Sequence, residues 1–418
     1  MDQYNRCRSL NYTVLLLVLF MSTGSTVNAG NHRVAGYYPA WLHDAYPADA
    51  VNVAALTHVI YAFSWPREDG TLASYAYPSY PELTDRVHEA GKTMMVSLGG
   101  GGLSGGFAAA TADMRIRAMF IANVLAFCDQ HGFDGVDIDW EYPQDENERN
   151  NMTSLVRELR AATAGRLEPF VITVAITGAS SAEDHWDIRA LTPYVDWFNV
   201  MHYNYSGTWS SVAGHNAPLF PRSDLGLTGS IHRNVIFLTE TVNVPREKIL
   251  VGIPFYGRQF KASGLYAAST GGEHLLYNDI ASMLWSGEWL PMWDDISKAS
   301  YAVSNNKTLV LVYDDERSVE GKCEYVIEND LGGVMIWALG YDYLGDEAPL
   351  LDTIGRVIGP PVYVEHADDA MPSGIIMQPV MPNPFNSFAT ITYTLPRDMN
   401  ISVDIYSISG QHLSLIHI

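Results

Sequence analysis

Between Arg33 and Val357 the chain repeats one pattern, a short apolar or β-branched run followed by a longer segment with apolar residues at helical spacing. The runs are Val34–Tyr38, His58–Phe63, Thr93–Leu98, Gly135–Trp140, Phe170–Ile176, Trp197–His202, Ile249–Pro254 and Gly333–Trp337. Apolar runs separated by helices predict parallel strands covered on both faces, and eight such units predict an α/β fold, a closed (β/α)8 TIM barrel. A doubly wound open sheet is the alternative. The barrel is favoured because polar and aromatic residues (Ser97, Glu141, Tyr203, Trp337) gather at the C-terminal ends of the runs, where a barrel presents its site. The longest gap lies between the seventh and eighth runs. From Arg258 to Trp293 it holds aromatics and turn residues, predicting a small insertion that walls one side of a cleft.

The two ends follow other rules. Arg6 and Arg8 precede the apolar run Val14–Phe20, and Val27-Asn28-Ala29 has the small-x-small form of a signal-peptidase site, so residues 1–29 are expected to be an export signal. The apolar run falls short of the roughly 20 residues a spanning helix needs, and no other stretch of the mature chain reaches membrane length. Residues 359–380, rich in Pro, acids and small residues, read as a linker after a domain over 30–358. Over 381–418, Ile391–Leu395 and Ile401–Tyr406 alternate apolar and polar positions as two strands of an incomplete immunoglobulin-like β piece. Met381-Pro-Asn-Pro-Phe-Asn386 and Tyr406-Ser-Ile-Ser-Gly410 resemble the C-terminal sorting domains of bacterial type IX secretion. That resemblance implies a secreted or cell-surface bacterial protein, with the secretion machinery as a partner.

Composition narrows the function classes. The 418 residues carry 25 Lys+Arg against 47 Asp+Glu, a net charge of −22, so a nucleic-acid backbone is an unsuitable partner and a neutral or cationic ligand fits better. The 10 Trp and 24 Tyr supply flat faces with polar tips that suit sugar rings, although most aromatics in any fold are core. Of the 3 Cys, Cys7 lies in the export segment, and Cys128 and Cys323 read as buried free thiols. His185, His202 and His215 lack ligand spacing, and no metal or cofactor is expected.

The chemistry concentrates in Phe133–Tyr142. Side chains alternate along a strand, so Asp137, Asp139 and Glu141 share the face toward the barrel axis while Val136, Ile138 and Trp140 take the other. At about 6.6 Å between successive members, three carboxylates repel one another unless protons are shared, so at least one pKa should be raised. A buried salt-bridged cluster has no local Lys or Arg to use. A divalent-metal site is a further alternative, and spacing with barrel position favours proton chemistry over it.

Asp134-Gly-Val-Asp-Ile-Asp-Trp-Glu141 resembles the D-G-x-D-x-D-W-E signature of glycoside hydrolase family 18, the chitinases. Ser97-Leu-Gly-Gly100 is similar to the family's S-x-G-G, Met201–Trp209 to its M-x-Y-D stretch, and Pro254–Arg258 and Gly332–Leu339 to its seventh and eighth strands. The resemblance covers about residues 33 to 357. It implies a TIM-barrel enzyme cleaving β-1,4-linked N-acetylglucosamine polymers with retention, through attack by the substrate's own acetamide. Glu141 is then general acid and base, Asp139 orients the acetamide, Asp137 shares its proton and Tyr203 donates to the acetamide oxygen. Trp337 is implied beneath the cleaved sugar, with Tyr37, Phe63, Tyr142, Met201, Asn204, Tyr256 and Arg258 as wall or substrate-binding positions. A buried-aromatic reading of Tyr37, Trp41 and Phe63 carries equal weight.

Two positions depart from the family pattern. Asn204 stands where Asp is usual, removing a charge and putting the pH optimum in question, and Gly101 stands where many members have Trp, removing a stacking platform. Fewer platforms predict a non-processive, endo-acting enzyme. The rival functions are an endo-β-N-acetylglucosaminidase acting on N-glycans and a silent chitin-binding lectin. An intact Glu141 speaks against the lectin, and the Gly214–Phe220 segment tilts toward the chitinase.

Overall fold

The computed structural model describes residues 32–359, apart from Pro78 and Ser180, together with four short strands between residues 376 and 417. The expected export segment, most of the linker and much of the C-terminal module lie outside the described residues.

In chain order the strands are β1 (Arg33–Pro39), β2 (His58–Pro66), β3 (Leu72–Ser74), β4 (Thr93–Gly99), β5 (Gly135–Asp139), β6 (Val171–Thr177), β7 (Trp197–Met201), β8 (Ile249–Pro254), β9 (Tyr256–Lys261), β10 (Gly272–Leu276), β11 (Trp289–Asp294), β12 (Ala299–Ser304), β13 (Leu309–Tyr313) and β14 (Gly333–Trp337). Strands β1, β2, β4 to β8 and β14 pair in parallel in that order, and β14 pairs back onto β1 to close the barrel. All eight apolar runs are barrel strands. Short β3 folds back antiparallel on β2.

The alternation along β5 sorts the core into two layers. Val136, Ile138 and Trp140 are buried on the outer face beneath the helices, where Trp140 stacks on Phe107 at 5.1 Å. Burying side chains of this size contributes about 1.5–3 kcal/mol each. The inner layer, including Ile60, Met95, Trp197, Leu250 and Met335, fills the barrel floor below the carboxylates. The helix after β5, Glu146–Thr163, has a reciprocal cap: the Glu148 amide donates to Asp145 Oδ1 at 2.9 Å, and the Gln144 amide donates to Glu148 Oε2 at 2.9 Å. This ties down the loop that leaves Glu141.

The insertion is larger than the sequence pattern predicts. It spans β9 to β13, a five-stranded antiparallel sheet in the order β10-β9-β13-β12-β11 with one helix, Tyr277–Trp285. The extra length is β12 and β13, and β13 pairs with β9, returning the sheet to the barrel's edge. Cys128 and Cys323 are free and buried. Among the described residues no helix is long and apolar enough to cross a membrane. In a separate compact unit, Ile376–Met377 pairs with Tyr393–Thr394 and Ser402–Tyr406 with His412–His417, both antiparallel.

Candidate active site

Barrel register builds the site in layers. Asp137 on β5 is level with Ser97 on β4 and Thr173 on β6. It is fully buried, and four strands supply its donors. Tyr37 Oη and Ser97 Oγ each donate to Oδ2 at 2.8 Å, while Thr173 Oγ1 at 2.6 Å and Asn199 Nδ2 at 3.0 Å donate to Oδ1. Burial pushes the Asp137 carboxyl up, and these donors pull it back toward the charged form. One turn of the alternation higher, Asp139 has no such cage. Among the described residues its buried Oδ1 has no hydrogen-bond partner, and burial followed by the charges of Glu141 and Asp137 holds its pKa well above the usual carboxylate range. Glu141 is also raised, chiefly by burial. All three carboxyls are thus raised, chiefly by burial, with like-charge repulsion adding at Asp139, where a resting proton relieves it.

Close backbone approach sets the height of these acids. Gly99 has φ +109°, and a Cβ there would lie 2.2 Å from the Asp139 carbonyl oxygen. At Gly100, φ +87°, a Cβ would lie 2.7 Å from the Phe63 ring. Ser104 Oγ then accepts from the Glu141 amide at 2.9 Å and donates to the Asp139 carbonyl at 3.2 Å.

Above Asp139 opens a cleft of about 520 Å³. Phe63, Tyr142, Met201, Tyr203, Asn204, Tyr256 and Trp337 line it with Asp139 and Glu141. Trp337 stacks on Phe63 with ring centres 5.5 Å apart and stands 6.3 Å from Trp41. Burial raises the Tyr203 and Tyr142 hydroxyls, which keeps both protonated as donors. A larger cavity, about 730 Å³, lies on the insertion around Tyr266, Met292 and Tyr301, but none of the three barrel acids reaches it.

Two expected wall positions need correction. Tyr37 is 2% exposed beneath the floor, where its hydroxyl is committed to Asp137, so it positions a carboxylate instead of meeting a ligand. Arg258 lies behind the wall, with Nη2 donating to Asn204 Oδ1 at 2.7 Å. Conversely, Tyr75, Leu103 and Trp209 line the cleft although the sequence reading did not place them there, and Trp41, which the sequence left evenly between core and platform, lines it too. Trp41 and Trp209 follow β1 and β7, so their position after a barrel strand was the available signal; Tyr75 enters through the β2–β3 hairpin. The histidines are structurally engaged: His185 Nδ1 bonds to the Pro143 carbonyl at 2.9 Å, His202 Nε2 to Asn234 Oδ1 at 2.8 Å, and His215 Nε2 meets Asp294 at 3.3 Å.

A family model described as Glycosyl hydrolases family 18 matches residues 33–342. The chain belongs to this family. Among its relatives, a "Probable endochitinase" of Caenorhabditis elegans is 29% identical over 346 residues, covering 72% of this chain and 55% of the relative. The chain therefore spans little more than half of that protein. "Probable chitinase 2" of Drosophila melanogaster is 29% identical over 389 residues, covering 79% of this chain and 78% of the relative. Among solved structures, the Ostrinia furnacalis Group IV chitinase in complex with allosamidin superposes with a TM-score of 0.72 at 27% identity, covering 78% of this chain and 98% of that one. At the departing position, Asn204, the backbone is left-handed at φ 61°, a region Asn and Asp both tolerate, and Oδ1 accepts from both Tyr256 Oη and Arg258, so the amide keeps these two bonds while removing the charge.

Proposed function

We propose that this family 18 member is a chitinase that hydrolyses β-1,4-linked N-acetylglucosamine chains by a retaining, substrate-assisted route. One observation carries the reading: Glu141, its carboxyl pKa raised by burial, opens on the cleft beside Asp139, whose buried Oδ1 has no hydrogen-bond partner among the described residues. The Glu141 proton passes to the glycosidic oxygen as its bond to the anomeric carbon breaks. The 2-acetamido oxygen bonds to that carbon while the Asp139 proton passes to Asp137, leaving an Asp139 carboxylate that accepts the acetamide N–H and offsets the developing positive charge. Tyr203 donates to the acetamide oxygen. Glu141, now a carboxylate, then takes a proton from water as the hydroxide adds to the anomeric carbon on the face the leaving group vacated and the bond to the acetamide oxygen breaks. Similar relatives named as chitinases support this substrate class.

We further propose a secreted or cell-surface location, on the export-like segment at residues 1–29 and the sorting-like residues at 381–418.

The deciding assay compares N-acetylglucosamine oligomers and a high-mannose glycopeptide, using the full chain and Glu141→Gln. The oligomers should be cleaved to β-anomers first, and Glu141→Gln should lower the rate by about 10²–10⁴-fold. Cleavage of the glycopeptide alone would move the assignment to N-glycans, and an active Glu141→Gln would remove the acid from its role.

A further inference from the structure

Among the described residues, Arg258 is a buried cation without a counter-ion. It is 8% exposed, its Nε is buried with no hydrogen-bond partner, and its one side-chain hydrogen bond among the described residues goes to the neutral Asn204. The arginine ion pairs of the described residues belong to Arg117, Arg157, Arg160, Arg166, Arg222 and Arg356. Two aromatic faces flank the guanidinium, Trp209 at 5.4 Å and Tyr256 at 5.5 Å, and they leave its charge whole. Trp209, Tyr256 and Asn204 all line the catalytic cleft, so an unneutralised charge stands directly behind its wall.

The amide orientation follows from the donors around it. Arginine can only donate, so the Asn204 atom it meets is Oδ1, and Tyr256 Oη donates to the same oxygen at 2.9 Å. Nδ2 therefore points away from the arginine, on a residue that is exposed and lines the cleft. This patch offers a donor backed by a full positive charge, and an aspartate in its place would offer an acceptor and cancel the charge.

We infer that the cleft beside Asn204 takes an anionic substituent, a carboxylate or a sulfate, on an N-acetylglucosamine chain. Asn204 Nδ2 donates to it, and the Arg258 charge attracts it. The net charge of −22 does not oppose this, because exposed charges farther than about 8 Å are screened in physiological salt while a partly desolvated one is screened much less. The inference rests on the cleft being a glycan site, as proposed above.

The test uses the full chain carrying Glu141→Gln to stop turnover. Neutral N-acetylglucosamine pentamer, its 6-O-sulfated form and its 6-carboxylate form are titrated by calorimetry. At least one anionic pentamer should bind about tenfold more tightly than the neutral one, a gain of the size one partly screened charge pair supplies. The sulfate and carboxylate arms tell which substituent is meant. Adding Asn204→Asp supplies the missing counter-ion and should bring the anionic-to-neutral affinity ratio down to about one or below. A ratio at or below one before that change, or a ratio that Asn204→Asp leaves intact, overturns the inference while neutral binding preserves the glycan reading. Failure of all three pentamers to bind overturns both.

Discussion

Asn199 Nδ2 donates to Asp137 Oδ1 at 3.0 Å, and Trp197 Nε1, donating to Asn199 Oδ1 at 2.9 Å, fixes which end of the amide faces the carboxylate. A residue two strands away from β5 thus helps keep the lowest acid of the ladder charged. Asn199→Asp replaces a donor with a second negative charge, which disfavours ionised Asp137 and raises its pKa further. The acid limb of the kcat/KM profile should therefore move to higher pH, with activity at its optimum lowered roughly tenfold or more. An acid limb that stays in place would show that Asp137 does not need its charge.

The cage marks the boundary of what sequence can tell. The eight strands and the shared face of Asp137, Asp139 and Glu141 were legible because both follow from periodicity inside one segment. Thr173 and Asn199 were not, because they meet Asp137 only through the register of β6 and β7 around a closed barrel. Tyr37 was legible as a residue of interest but not in its role: its hydroxyl points to the floor, a matter of side-chain direction. The insertion was underestimated for a similar reason, since β13 acquires its meaning by pairing with distant β9.

The glycine run after β4 separates two costs. Gly99→Ala meets both a left-handed φ of +109° and the Asp139 carbonyl at 2.2 Å, so the backbone carrying the second acid has to move. A loss of about 2–4 kcal/mol in denaturant melts is expected, with most of the activity. Gly101→Ala has only Glu141 Oε1 within 4 Å of the new Cβ, at 3.8 Å, and should change stability by less than about 0.5 kcal/mol. Equal melts for the two variants would refute the close-approach account.

Trp41 is 46% exposed, 6.3 Å from Trp337 and 5.7 Å from Tyr75, so it continues an aromatic strip away from the catalytic acids. A sugar stacked there is remote from the reacting bond and adds binding energy only when the chain is long enough to reach it. Trp41→Ala should lower kcat/KM on a hexamer by about tenfold and barely alter it on a trimer, given roughly 1 kcal/mol or more for a lost aromatic face. Equal losses on both substrates would place Trp41 in the support of Trp337.

Asp342, just beyond β14, makes stability depend on pH at a distance from catalysis. Its Oδ2 accepts from the Leu350 and Leu351 amides at 3.1 and 3.0 Å, capping the helix Pro349–Val357, while its buried Oδ1 has no partner among the described residues. Burial pushes the carboxyl from 3.8 up to about 7 despite the helix amides that favour the anion. Because the folded pKa is the higher one, the folded state binds the extra proton. Its stabilising contribution is complete below pH 4 and is lost as pH rises through about 7, at a cost on the order of 4 kcal/mol. Asp342→Asn keeps an oxygen for the two amides and carries no charge. Asp139 and Glu141 are raised as well and weaken the fold in the same direction, so the informative quantity is the difference between variant and parent at each pH. In urea melts that difference should be smallest near pH 4 and grow in favour of Asp342→Asn up to about pH 8. A difference that is flat across this range would mean that Asp342 is charged without penalty, leaving the helix cap as its whole contribution.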